Sequence, residues 1–465
     1  MKRFKRYRVL FLAAWVTACA HYRLNEQLAR YDDKAGYRFA QFTAAANNTD
    51  SLFVCLAFSG GGTRAAAFSY GVLKKLAEVK IEWQGKQKNL LDEVDCISSV
   101  SGGSFTAAYY ALFPDRIFKD FPEQFLYRNI QSELLSQLFN PLNLGRIMSP
   151  YFGRIDLAAE LYDTVFDKKT FGDLLASKRR PFVILNATNL ALGERFEFTQ
   201  EQFDVLGSDI ASYPIARAVA ASSAFPFLLS PVSLKNQPQP ENYQTPLEYK
   251  NALQDFERNR RRYQWAKNQI LYEDKQNHPF VHLMDGGLAD NLGVRFISDS
   301  FRRGTIRDLI NNEAIQRLLI IIVNARTSPP EDFDKRETPP DLPVVAYKVA
   351  TTSMDNYTFE TVEMMKELRD SRLQTQRAVT DCQSILKKAC PSAKPLDRLA
   401  GSLEPFVVDI NFESLNENPE RQTYFLSLPT SFSLTRQQVD DLVNVGGELL
   451  EKSPDFQSFM RSLKP

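Results

Sequence analysis

The chain has 465 residues, 44% of them hydrophobic, which is enough for one large core or two domains. Its 57 Lys and Arg balance 56 Asp and Glu, for a net charge of +1. That balance excludes general nucleic-acid binding, which needs a basic surplus.

The chain begins "MKRFKRYRVLFLAAWVTACAHY". Lys2, Arg3, Lys5, Arg6 and Arg8 precede a short apolar run from Val9 to Val16. The run falls short of the roughly 20 residues a membrane-spanning helix needs, so it reads as an export signal. "VTAC", residues 16–19, resembles the lipobox of bacterial lipoproteins. The resemblance implies that residues 1–18 are a signal peptide and that Cys19 becomes the lipid-bearing first residue. Residues 19–50 are then a tether. Ala20 in place of aspartate implies sorting to the outer membrane of the cell envelope.

Four other cysteines remain. Cys382 and Cys390 lie eight positions apart in a polar segment, and in an exported protein they are expected to close a small disulfide loop. Cys55 and Cys96 sit in apolar runs and are expected to be buried free thiols. No cysteine spacing resembles a zinc site, and no metal or organic cofactor is expected.

"SLFVCLAF" (51–58) predicts a buried parallel strand. "SGGG" follows, and from Arg64 the positions Ala65, Phe68, Val72, Leu73 and Leu76 recur at helical spacing. Strand, joint and helix repeat over residues 94–112. Residues 118–166 are rich in leucine and aromatics, broken by proline and glycine. They read either as core helices or as an apolar cover. "PFVILNATNL" (181–190) and "RLLIIIVNA" (317–325) predict two more buried strands, and residues 236–278 a polar insertion with a helix. Proline-rich 327–343 marks a boundary. Beyond it helices are expected over 344–378 and 435–451, with one late strand at 404–412. Strands alternating with helices define an α/β fold with a mostly parallel sheet flanked by helices. Its expected catalytic part is 51–325. A mainly helical C-terminal region, 326–465, is expected to pack on it.

Ser101 sits where the strand run "CISSV" meets the helical run "GGSFTAAYY". Gly103 follows two positions on, but Ser99 stands two before, where a nucleophile elbow usually has glycine. A helix start there favours an alkoxide or oxyanion; the alternative is a plain helix cap. Gly60, Gly61 and Gly62, between a strand and a helix, place amides around one concave spot suited to a tetrahedral oxygen. No phosphate-loop spacing is present. Arg64 is either a solvated first-turn residue or a brace for this loop. Histidine, the usual base, is scarce: His21, His278 and His282 only. Asp285 ends a strand-like run before Gly286 and Gly287 and is placed to act directly as a base, while His282 reads as an ordinary strand residue.

"SGGGTR", "SVSGGS", "AVAASSAFPFLLSPV" (218–232) and "MDGGLADN" resemble, in this order, the motifs of the patatin-like phospholipase family. The resemblance implies a modified α/β-hydrolase fold with Ser101 as nucleophile and Asp285 as base. It also implies oxyanion donors in the Gly60–Gly62 loop, chiefly Gly61 and Gly62, with Arg64, Gly103, Gly286 and Gly287 in support. The expected substrate is a phospholipid or lysophospholipid ester, met at a membrane surface through the lipid anchor. The rival readings are a non-enzymatic lipid- or partner-binding envelope protein, and a thioesterase or soluble-ester hydrolase. The intact serine, aspartate and glycine loop count against the first.

Overall fold

The computed structural model describes residues 20–21, 24–44, 47–312, 314–328, 333–390, 392 and 403–464. Cys19 and the 1–18 leader lie outside the described residues. The described residues fall into two compact units: those within 42–107, 179–184 and 290–464 form one, and those within 20–41, 108–178 and 185–289 the other.

The elements that matter for function run in chain order. They are β1 (Leu52–Phe58), α1 (Gly62–Glu78), β2 (Val94–Val100), α2 (Gly102–Leu112), α3 (Ile130–Leu138), α4 (Pro141–Ile147), α5 (Arg154–Tyr162), β3 (Phe182–Asn189), β4 (Glu194–Glu197), α6 (Ile215–Ser222), β5 (Val232–Lys235), β6 (Phe280–Asp285), β7 (Arg317–Asn324), α7 (Leu342–Ala389), β8 (Glu404–Asn411) and α8 (Arg436–Lys452).

In the unit that holds β1, the strand order is β8-β7-β1-β2, and all three pairings are parallel. Every residue of β1 and β2 is buried. Strands covered on both faces need apolar side chains on both, so they read as continuous runs rather than alternations. From β1 the chain crosses through α1 to β2 on one side; β7 lies on the other side and leads outward to β8. The crevice at the carboxyl ends of β1 and β7 is therefore the point where the winding reverses, the usual ligand position in open α/β sheets. The C-terminal region is built into this unit. β8 extends the sheet, and α8 packs backbone-close on α1, where a Cβ on Gly71 would fall 2.1 Å from the Val443 carbonyl oxygen.

In the other unit the Leu185–Asn189 part of β3 pairs antiparallel with β6, β6 with β5, and β4 with β3. The apolar 118–166 stretch divides here. α5 is core: Ile155, Leu157, Ala158 and Tyr162 are buried, and Asp156 accepts from Arg217 of α6 at 2.7 Å. α3 and α4 instead expose Leu135, Leu142 and Leu144, and Phe139 between them is exposed too.

Two cysteine expectations are corrected. Cys55 and Cys96 are joined as a disulfide, because the parallel register sets them opposite each other with Cα atoms 4.7 Å apart, inside the bridging range. Cys382 and Cys390 are free and exposed. The helix expected to stop near 378 continues to Ala389 as a 48-residue element. Eight residues along it, at 1.5 Å each, separate the two cysteines by about 12 Å, beyond any disulfide.

Candidate active site

Ser101 occupies the sharp joint between β2 and α2. Its φ is +50°, the left-handed region that non-glycine residues avoid because Cβ crowds the following carbonyl. A buried serine held there is the strained geometry of a nucleophile elbow rather than of a plain cap, which has extended φ. Its carbonyl accepts from Ser104 N at 3.0 Å, closing the first turn of α2. Ser99 fits where glycine is usual because its hydroxyl is absorbed: Oγ donates to the Ile184 carbonyl at 3.2 Å and lies 3.2 Å from Ser104 Oγ.

The glycine loop follows β1. Gly61 and Gly62 have φ of +138° and +61°. The elbow and the loop approach closely, Gly102 against Gly62 backbone to backbone. A Cβ on Gly102 would lie 1.9 Å from the Gly62 oxygen, and one on Gly60 would lie 3.4 Å from Ser101 Cβ. Gly103 lets α2 start beside β1, since a Cβ there would meet Phe58 Cβ at 2.7 Å.

Three long-range contacts fix the loop. Gly60 N–H donates to the Asn291 carbonyl at 2.9 Å, and Thr63 N–H to the Ser431 carbonyl at 2.9 Å. The Gly60 amide is thus taken by Asn291, and the amides of Gly61 and Gly62 lie between the two anchors. Arg64 is the brace. Its guanidinium donates to the carbonyls of Ala325 (2.9 Å) and Leu428 (2.8 Å) and to Thr430 Oγ1 (3.0 Å). Burial brings its pKa down to about 10, so it stays charged at neutral pH. Asn291, Leu428, Thr430 and Ser431 were missed in the sequence, where only the "DN" of "MDGGLADN" offered any signal.

Asp285 ends β6 and is buried. Its N–H donates to the Ala224 carbonyl at 3.0 Å, and the next amide, Gly286 N–H, to Ser222 at 3.1 Å. The "AVAASSAFP" segment is therefore the strap that fixes this strand end. Asp285 Oδ1 accepts from Gly287 N–H at 2.8 Å, and the Asp285 carbonyl from Thr188 Oγ1 at 2.8 Å. Tyr162 is a further neighbour that sequence reasoning missed. Burial first, and the Asp285 carboxylate after it, push its phenol pKa up. His282 points elsewhere, its Nδ1 2.8 Å from Ser233 Oγ on the exposed side of β6. Among the described residues no cluster of His, Cys, Asp or Glu is arranged to hold a metal ion.

A mixed, mostly parallel sheet flanked by helices, with a serine elbow beside a glycine loop, defines an α/β fold of the hydrolase kind. The family model for patatin-like phospholipase matches residues 56–297, more than half of the chain, and the chain belongs to that family. No curated protein matches it significantly in sequence. Among solved structures, human GIVD cytosolic phospholipase A2 is 15% identical with a TM-score of 0.46, over 89% of this chain and 62% of that one. The same human enzyme in complex with methyl gamma-linolenyl fluorophosphonate is 13% identical (TM-score 0.42; 89% and 59% covered). VipD from Legionella pneumophila is 12% identical (TM-score 0.28; 97% and 72%). The chain thus matches somewhat less than two thirds of the human enzyme's length.

Proposed function

We propose that the protein is a serine acyl hydrolase of phospholipid or lysophospholipid esters, held in the bacterial envelope by a lipid on Cys19. Ser101 Oγ attacks the ester carbonyl carbon while Asp285 takes the hydroxyl proton. The tetrahedral oxygen is met by the amides of Gly61 and Gly62. Its collapse breaks the ester C–O bond, and the alcohol leaves with the proton from Asp285. Water then adds to the acyl-serine with Asp285 again as base, releasing the fatty acid.

The observation that carries this reading is Ser101 itself, a buried serine at φ +50° whose following residue abuts the glycine loop backbone to backbone. The strap on Asp285 supports the second role, because a base must be held in place before substrate arrives.

The test is fluorophosphonate labelling with mapping of the modified residue, beside hydrolysis of matched phospholipid, lysophospholipid and soluble esters. The label should fall on Ser101. Residues that act as a unit lose activity non-additively, so Ser101→Ala, Asp285→Asn and the double variant should share one residual rate. His282→Ala should keep most activity. Normal hydrolysis by Ser101→Ala, or inactivity of His282→Ala, refutes the assignment.

A further inference from the structure

The unit that carries Asp285 has one face whose composition is unusual for a protein surface. Met148, Leu142 and Phe139 are 79%, 74% and 71% exposed. Leu144 and Tyr151 are exposed beside them in sequence, and Phe227 and Leu228 on a separate loop. The two segments meet: Arg154 Nη1 donates to the Phe227 carbonyl at 3.1 Å, and Ile155 N–H to Ser230 Oγ at 3.2 Å. Isolated exposed apolar residues are ordinary, but seven of them on two segments that meet mark an interaction surface.

Two observations say what covers it. Ser149 Oγ donates to the carbonyl of Ala20 at 2.6 Å and accepts from Tyr151 N–H at 3.2 Å. The described chain thus reaches this face at Ala20, the residue that follows the proposed lipid carrier in sequence. The Phe227–Leu228 loop, for its part, follows Ala224, whose carbonyl holds the Asp285 amide. Arg154 is exposed at the rim, a guanidinium suited to lipid phosphate.

We infer that the face formed by α3, α4, Met148, Tyr151 and the Phe227–Leu228 loop rests on a phospholipid bilayer surface. The N-terminal anchor enters the membrane beside it. The apolar side chains insert to the depth of the headgroup–acyl boundary, as on amphipathic surfaces that lie in the interface plane. The anchor supplies attachment and this face supplies orientation, with the Asp285 strand end turned toward the lipid. The inference rests on the proposed lipid-ester activity only for its purpose and on the proposed Cys19 anchor for the choice of a bilayer; binding is measured without turnover.

The experiment uses the full chain with Met148→Trp and vesicles of phosphatidylcholine and phosphatidylethanolamine, with or without brominated acyl chains, and the parent protein as baseline. The added tryptophan should shift to the blue on lipid addition and lose about half or more of its emission to bromine. Absence of quenching overturns the inference. A shift that follows protein concentration and not lipid assigns the face to a second copy, and also overturns it. In parallel, Phe139→Ser/Leu142→Ser/Met148→Ser should lower vesicle partition at least about tenfold. Hydrolysis of a soluble ester should stay within about twofold, since these exposed side chains add little to folding. Unchanged partition of the folded triple variant overturns the inference; if that variant does not fold, the tryptophan decides. Loss of soluble-ester hydrolysis in the parent itself counts against the catalytic reading and leaves the quenching result standing.

Discussion

Gly102→Ala is the sharpest perturbation the candidate site offers. The new Cβ would lie 1.9 Å from the Gly62 carbonyl oxygen, 2.7 Å from its carbon and 2.8 Å from its nitrogen. Carbon and oxygen approach no closer than about 3.3 Å in proteins, so loop and elbow must separate by about 1.4 Å. Every clashing atom is backbone, and no flexible side chain can give way. Overpacking of this kind costs about 1–3 kcal/mol, and the absence of a yielding partner puts Gly102→Ala at the upper end. A displacement of about 1 Å between nucleophile and oxyanion donors costs about a hundredfold in rate. The assay is the second-order rate of fluorophosphonate labelling, with urea denaturation on the same samples. Gly447→Ala is the control. Its Cβ would meet Lys75 side-chain carbons at 3.4 Å and the Gly71 carbonyl oxygen at 3.7 Å, ordinary contact distances, on a helix where alanine is favoured by up to about 1 kcal/mol. Gly102→Ala with parental labelling and parental stability would refute the contact between loop and elbow.

Arg64→Met should cost about 3 kcal/mol in urea denaturation, because two buried carbonyls and the Thr430 hydroxyl lose a charged donor; Arg64→Lys should restore little, since one ammonium cannot span them. Asp409 is pushed up to about 6 by burial, above its unfolded value. The folded state therefore holds the proton more tightly, and stability present in acid is lost as pH rises from about 4 through about 6, by at most about 3 kcal/mol. Asp409→Asn should gain on the parent across that window and level off above it, as read by urea denaturation at each pH. Peptide mapping should find Cys382 and Cys390 alkylated without reduction, and Cys55 and Cys96 only after it.

What was legible in the sequence was whatever contiguous residues decide. Buried strands are apolar runs because both faces are covered, so β1, β2, β3 and β7 could be placed within a residue or two. Ser101 and Asp285 fell at strand ends because glycine and serine break those runs. What stayed hidden depends on register or on distant chain. Cys55 and Cys96 read as two buried thiols because nothing local says that β1 and β2 align them. The cysteine pair with the tempting short spacing lay on a helix instead. Residues 379–389 show no strong apolar period and include Val379, Thr380, Asp381, Cys382 and Ser384, weak helix formers, so nothing local announces that the helix continues.

The glycine loop carries the same lesson into the chemistry. Three consecutive glycines are a flexible segment unless something fixes them, and a flexible donor gives back as reorganisation what it gains in hydrogen bonding. Gly60 is fixed by Asn291, six residues beyond Asp285; Thr63 is fixed by Ser431, far down the chain; and Gly102 closes the gap from the elbow. Arg64, itself buried, then ties the residue after β7 to the 428–430 segment. The motif "SGGGTR" supplies amides, but its rigidity comes from residues that share no local pattern with it. The C-terminal region therefore contributes to the rigidity of the glycine loop: it anchors Thr63 through Ser431 and Arg64 through Leu428 and Thr430.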